Sequence, residues 1–364
     1  MTEDARPEVA AWNGLVDALR SAGDKLAADT AGLAPAEQAD GFRALVRGLS
    51  NQLSRFEVDR ERPELVPFNG WRHKFLMDNP DFRYWVTEVR GDRAYRIRGN
   101  RGDASYMSVT VYRRTGGIGG IGAEATARID SDTIGFDDDG AFEIVLGGTA
   151  PGAGDRLELP EKAGVVWVRF FHDDVARDEM GWCSIEPVVE PPVPPSIDAA
   201  RFASSLDSLA ATTSMLPTIF EMSTKDDLDP PNVLRHWSEM AGGAVFTEPG
   251  IHYVRGGWQL GPGEALAIEG DVVECRYWNM LAYSRFLNSL DFRYRPVSYT
   301  GATATVVDGR YRFVVAAENP GGSGDWIDSE GRDFGIIVMR FLQPADTPPL
   351  PSARVVRLDE LRGE

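Results

Sequence analysis

DGAFEIVLGG (139–148) returns as DGRYRFVVAA (308–317), and VRFF (168–171) returns as MRFL (339–342). Gly99 and Gly270, Tyr106 and Tyr277, Tyr112 and Tyr283, and Arg114 and Arg285 are each 171 positions apart, while GDRLEL (154–159) matches GDWIDS (324–329) at 170. Blocks that keep one order at one nearly constant offset mark an internal duplication, so the fold of one copy is also the fold of the other.

Within a copy the residue pattern is that of strands. AYRIRG (94–99), YMSVTVY (106–112), FEIVLG (142–147) and VVWVRFF (165–171) are short, rich in β-branched and aromatic residues, and bounded by Gly and Asp turns. About six such stretches per copy, joined by Asp-Gly hairpins, predict a mainly β fold with helical additions: two tandem, duplicated antiparallel β-sandwich units of jelly-roll type, each preceded by helices.

The helices read from a 3.6-residue period. Trp12, Leu15, Val16 and Leu19 form one apolar stripe, and Phe42, Leu45, Val46, Leu49 and Leu53 form another, predicting a helical cap over 1–66. The first β unit then covers 67–187. VVEPPVPPSID (188–198) carries four prolines and opens a linker over 188–248. In that linker Phe202, Leu206, Leu209 and Leu216 space as a helix that Pro217 ends or kinks, and NVLRHWSEMAGG (232–243) reads as a second, shorter helix. The second β unit covers 249–364.

The net charge of −18 argues against nucleic acid, which needs clustered Lys and Arg to displace phosphate counterions. No run reaches the ~18 apolar residues of a membrane span. The acidic start MTEDARPEVA lacks a signal-peptide pattern, which predicts a cytoplasmic location. Cys183 and Cys275 read as buried small hydrophobes.

TGGIGGIGAE (115–124) places Gly117, Gly119 and Gly122 on the G-x-G-x-x-G spacing of dinucleotide sites. Such a site requires a helix opening at the third glycine, whereas AEATARIDSDTIGF runs directly to the next turn. The second copy has NSLDFR (288–293) at the same place, so the motif reads as a loop, and residues 286–295 become the loop to watch. FDDDG (136–140) lacks the alternating ligands and distal Glu of a calcium loop and reads as a polar turn.

Four histidines, His73, His172, His236 and His252, show no metal-ligand spacing, and neither a nucleophile elbow nor a P-loop is present. No metal or organic cofactor is therefore expected. His73, with Asp78 and Asp81 nearby in sequence, and His252 are the candidate proton handlers. The second copy holds the densest polar and aromatic set. Tyr283 and Asp291 join the candidate catalytic residues, and Tyr277, Trp278, Asn279, Arg285, Asn288, Arg293, Trp326 and Arg340 are candidate substrate contacts. Strand alternation puts Tyr277, Asn279 and Tyr283 on one face and Trp278 on the other. Arg169 and Arg340 sit at matching places in apolar strands, where an ion pair with Asp155 and Asp325 is expected; the Arg340 fork also suits a ligand carboxylate.

The run YWNMLAYSRFLNSLDFRYRPVSYTG (277–301), then DGRYRFVVAAENPGGSGDWID (308–328) and FGIIVMRFLQP (334–344), resembles the bacterial domain-of-unknown-function family 1214. The first β unit is loosely similar to its companion family 1254. Asp325 stands where family 1214 carries Asn before Trp326. The resemblance implies β-sandwich domains with helical additions, found among genes for catabolism of lipids, steroids and other hydrophobic compounds.

The expectation is a cofactor-independent enzyme of small-molecule catabolism, a lyase, isomerase or hydrolase, acting on a hydrophobic, lipid-, steroid- or terpenoid-like substrate. The alternatives are a non-catalytic lipid- or glycan-binding protein using Trp278, Tyr283 and Trp326 as a platform, or a structural partner of a neighbouring enzyme. A homo-oligomer is compatible with each.

Overall fold

A computed structural model describes residues 6–116, 122–148, 154–193, 196–237, 246–322 and 324–362. Helices α1 (Pro7–Thr30) and α2 (Pro35–Leu53) each begin on a proline, whose fixed φ suits a first helical turn and whose missing N–H is no loss there. Nine strands follow: β1 (Val66–Pro67), β2 (Phe82–Glu88), β3 (Tyr95–Asn100), β4 (Tyr106–Gly116), β5 (Gly122–Asp130), β6 (Ala141–Leu146), β7 (Asp155–Leu157), β8 (Val165–Phe171) and β9 (Trp182–Pro187). After α3 (Ala199–Leu228) come β10 (Arg235–His236), β11 (Ile251–Gln259), β12 (Glu264–Asp271), β13 (Tyr277–Tyr283), β14 (Ser298–Thr300), β15 (Val306–Val307), β16 (Arg310–Ala316), β17 (Asp325–Asp328), β18 (Phe334–Leu342), β19 (Ser352–Arg357) and α4 (Leu358–Leu361).

The duplication is visible strand by strand. The larger sheet runs β1-β2-β8-β4-β5 in the first copy and β10-β11-β18-β13-β14 in the second. The smaller runs β7-β6-β3-β9 and, with β15 added at its edge, β17-β16-β12-β19. Pairing is antiparallel except for β6·β7 and β16·β17, the same pair in each copy. Asp155 and Asp325 open the parallel strands and each reaches back 20 residues, to the Gly135 N–H at 2.7 Å and the Thr305 N–H at 2.6 Å. Those bonds hold the loop before the parallel strand and take the two carboxylates out of the ion pairs expected with Arg169 and Arg340.

Successive strands mostly cross between sheets, so the Asp-Gly turns seldom make simple hairpins. Asp308-Gly309 joins β15 to β16 as one, whereas Asp137–Gly140 is a tight turn that leads into β6. The flanks of the glycine motif, Gly116 and Gly122, pair across the β4·β5 hairpin, which is not a strand-to-helix turn; Gly117 and Gly119 lie outside the described residues.

Alternation along the strands sends one set of side chains between the sheets. In the first copy these include Ile97, Val109, Ile144, Val168 and Phe170. In the second they include Trp278, whose ring lies 5.5 Å from Tyr311 and 6.3 Å from Phe313. Every residue of β8, β13 and β18 is buried on both faces, so the outer face of each larger sheet is covered as well.

The chain divides into two units. The first comprises the chain up to His73, Phe82–His172 and Glu179–Ile219; the second comprises Lys74–Asp81, Asp173–Asp178 and Phe220 onward. Two short stretches from the first half thus belong to the second unit, which the contiguous division into 67–187 and 249–364 does not contain.

Helix α3 runs through Pro217, so of the two readings, an end or a kink, the proline does not end the helix. Buried Leu209, Leu216 and Phe220 on either side anchor it despite the lost backbone hydrogen bond. Arg235 and His236, expected in a helix, pair with Arg255 and Val254 as an edge strand, and 238–243 lie outside the described residues. Finally, α2 buries Gly41, Ala44 and Gly48 rather than its apolar stripe. Small residues allow close backbone approach, and of the stripe only Leu45 is buried.

Among the described residues no helix is long and apolar enough to cross a membrane.

Candidate functional site

The outer face of the larger sheet in the second unit is built by register. Arg340 on β18 lies between Tyr253 on β11 and Asn279 on β13; Arg255 and Leu281 flank Val338, and Asn279 faces Thr300 on β14. Tyr277, Asn279 and Tyr283 therefore share this face and Trp278 takes the other, as the alternation predicts.

Arg340 Nη2 donates to the Tyr283 hydroxyl at 2.6 Å, and its guanidinium stands over the Tyr253 and Tyr283 rings at 5.6 and 5.7 Å. Burial pushes the Tyr283 phenol well above its ordinary range, with the Arg340 charge pulling the other way. The phenol is thus a protonated group at neutral pH, oriented by a buried cation.

Lys74–Asp81 straps this face. Lys74, fully buried, donates to the Ser289 and Leu290 carbonyls at 2.6 and 2.8 Å and lies over the Phe292 ring. The Met77 N–H donates to the Leu287 carbonyl at 2.7 Å. Asp78 accepts from the Ser289 N–H and hydroxyl at 3.0 and 2.7 Å. Asp81 accepts from Asn279 Nδ2 at 2.9 Å and from the Ser298 hydroxyl. Leu76, Met77 and Leu287 all have left-handed backbones, with φ of 41°, 68° and 57°. Each conformation costs free energy for a non-glycine residue, and such residues gather where the surroundings force a particular geometry, often at functional sites. Asn279, with no exposed surface, has an Oδ1 that accepts no hydrogen bond among the described residues. A buried acceptor in that condition costs about 1–3 kcal/mol.

The other end of the face carries a buried ion pair. Arg255 Nε and Nη2 donate to Asp227 at 3.1 and 2.6 Å, with Arg255 at 1% exposure and Asp227 at 0% for the side chain. Gly256 and Gly257 permit the approach that brings Asp227 in, since a Cβ on either would fall within 2.1 Å of the Val233 carbonyl or 2.5 Å of the Asp227 carbonyl. Burial raises the Asp227 carboxyl above its usual value, against the pull of Arg255. Desolvation limits what the pair contributes to stability.

The structure thus brings together Tyr277, Asn279, Tyr283 and Arg340. Asn288 is buried in the loop that follows, donating to the Phe286 carbonyl at 3.2 Å, and Asp291 lies 4.0 Å from Lys74 Nζ. The remaining candidates lie elsewhere. Trp278 is between the sheets; the Arg285 guanidinium stacks on Phe334 at 4.9 Å; Arg293 is exposed; and Trp326 donates to the Ala316 carbonyl at 3.0 Å. Trp278 and Tyr283 are buried on opposite faces of β13, so these aromatics do not form one platform. His252 is exposed on β11, and His73 belongs to the first unit, its imidazole pKa lowered by partial burial and by Arg72. Lys74, Asp78, Asp81, Arg255 and Asp227 are the members that sequence reasoning did not place here. For Lys74, Asp78 and Asp81 the signal was a rare lysine followed by two aspartates in KFLMDNPD (74–81).

A cleft of about 400 Å³ opens in the first unit beside Gly147, Arg156, Glu158 and Pro160. None of the candidate residues lines it. Among the described residues no three His, Cys, Asp or Glu side chains cluster to hold a metal.

No family model and no curated protein matches this chain. Among solved structures it is similar to an uncharacterized protein from Burkholderia cenocepacia, at 27% identity over 96% of this chain and 98% of that one, with a TM-score of 0.88. It also resembles the VPA0106 protein from Vibrio parahaemolyticus, at 13% identity over 86% and 98% of the two chains and a TM-score of 0.50, a likeness of fold alone.

Proposed function

We propose that the protein is a cofactor-independent enzyme of small-molecule catabolism whose site is the strapped outer face of the second unit's larger sheet. The observation that carries this reading is the divergence of the two copies at that face. Where the first copy has Phe82, Val86, Ser108, Trp167 and Phe171, the second has Ile251, Arg255, Asn279, Val338 and Leu342 in the same register. A duplicated fold that trades aromatic filling for buried charge and an unsatisfied amide has given up stability, and function is the usual reason for such a trade.

The chemistry that the residues support is proton transfer. Tyr283, held protonated by burial and oriented by Arg340, is suited to donate a hydrogen bond to a substrate oxygen and not to give up its proton. Asp81, held by Asn279 and Ser298, is the carboxylate suited to accept a proton, taking the role first sought in His73 and His252. A hydrogen-bond donor and a base on one face serve an isomerase, a lyase or a hydrolase. The aliphatic and aromatic surroundings favour a hydrophobic, lipid-, steroid- or terpenoid-like substrate. A cytoplasmic, homo-oligomeric protein is part of this reading.

The test is a thermal-shift screen of steroids, terpenoids, fatty acids and sugars, followed by product analysis on the stabilising compounds without added cofactor. Asp81→Asn should keep ligand stabilisation and lose turnover. Stabilisation by none of these classes, or turnover unaffected in Asp81→Asn, would contradict the reading.

A further inference from the structure

Three of the four residues of the most hydrophobic stripe of α2 are exposed, and the fourth, Leu49, is partly buried against α1 and α3. At 100° per residue, Phe42, Val46, Leu49 and Leu53 fall within one 60° sector, opposite the buried Gly41, Ala44, Gly48 and Asn51. Val46 is 64% exposed, Leu53 49% and Phe42 42%. On α1 the matching stripe is Trp12, Val16 and Leu19, beside the Ala11–Leu15 side that packs on Ala203, Leu206 and Leu209 of α3. Trp12 is 58% exposed. Helices α1 and α2 are joined by only residues 31–34, so they run antiparallel, and an added Cβ at Gly23 would stand 3.7 Å from the Phe42 ring. Leu19 and Leu49 turn in to pack against the α1–α3 cluster, while Trp12, Phe42, Val46 and Leu53 stay exposed and line one apolar strip along the hairpin.

We infer that this strip is the interface with a second copy of the same chain, the two hairpins closing into a four-helix bundle. The area fits. The exposed parts of Val9, Trp12, Phe42, Val46 and Leu53 sum to roughly 450 Å² of apolar surface per chain, within the ~300–600 Å² of the largest patch on a monomer, which is often an interaction site. Two such strips bring about 900 Å² of apolar surface together. An interface about 60% apolar would then bury about 1,500 Å² in total, the size of a stable specific dimer. Self-pairing also fits the shape: two parallel stripes on an antiparallel helix pair are complementary to themselves under a two-fold rotation, which lets the α1 stripe of one copy meet the α2 stripe of the other. The chain's net charge of −18 disfavours an anionic membrane surface as the occupant.

Analytical ultracentrifugation of the full chain over about 1–50 µM is the test, with Val46→Glu and Trp12→Glu as separate variants and circular dichroism to confirm folding. These side chains are exposed, so both variants should keep the wild-type spectrum. The expected result is a wild-type dimer and at least a tenfold weaker association in each variant. A monomeric wild type throughout the range, or a dimer that both variants preserve, would overturn the inference. So would flotation of the wild type with neutral phosphatidylcholine vesicles that Val46→Glu abolishes while the dimer persists.

Discussion

The outer faces of the two larger sheets share a register and differ in chemistry. Both keep an arginine that donates to a tyrosine hydroxyl: Arg169 to Tyr112 at 3.0 Å and Arg340 to Tyr283 at 2.6 Å. Around that shared pair the first copy is packed with rings, Phe68 against Trp167 at 4.4 Å and Phe82 against Phe171 at 3.9 Å. The second copy has Val338 and Leu342 at the matching places and brings in Arg255, Asn279 and a strap carrying two carboxylates. The shared part of the face is scaffold in both copies, and the divergent part is where the proposed site lies.

The largest expected effect lies in the divergent part. Asp227→Ala leaves the Arg255 charge buried without its carboxylate and should lower stability by about 3–5 kcal/mol in urea or guanidinium unfolding. The first-copy counterpart of Arg255 is Val86, which has no such charge to lose. A loss under ~1 kcal/mol would show that water reaches Arg255 and that the face is less sealed than its burial implies.

Next is Trp167→Val, which installs the second copy's residue in the first. Removing that ring from between Phe68 and Tyr84 should cost about 2–4 kcal/mol while leaving ligand binding and turnover intact. An equal loss of activity at matched folded fraction would place function in the first copy as well.

A smaller effect follows from the second copy's tyrosines. Burial pushes the Tyr299 phenol up to about 12 and raises Tyr283 and Tyr311 further. An unfolded phenol ionises near ~10, so the folded state keeps its full contribution below that pH and loses it as the pH rises toward the folded values. The melting temperature should therefore fall progressively from pH 10 to 12, with these phenols ionising only as the protein unfolds. Early, reversible ionisation of all the tyrosines at pH 10 would contradict their burial.

The duplication, the strand positions and the placement of Tyr277, Asn279 and Tyr283 on one face were legible because period-2 alternation and a fixed offset are local, one-dimensional signals. The site was legible only in part. Lys74, Asp78 and Asp81 lie some 200 residues from their partners Ser289, Asn279 and Ser298, and nothing in local pattern carries such a pairing. The same limit misassigned Arg169 and Arg340. A nearby aspartate is the obvious partner for a buried arginine, but Asp155 and Asp325 are committed to backbone N–H groups, and the tyrosine on the next strand takes the guanidinium. The stripe on α2 was legible as apolar, but period alone does not say which face a helix buries when its opposite face is small enough to pack closely.

The central claim is that the shared arginine–tyrosine pair supports both copies while only the second copy's face does chemistry. Tyr112→Phe and Tyr283→Phe test it directly, measured side by side for stability and for stabilisation by whichever compound most raises the wild-type melting temperature. Each should cost about 1.5–3 kcal/mol, the loss of one hydrogen bond to a buried charged donor. Only Tyr283→Phe should abolish the ligand-induced shift. Retention of that shift in Tyr283→Phe, or its loss in Tyr112→Phe, would contradict the account.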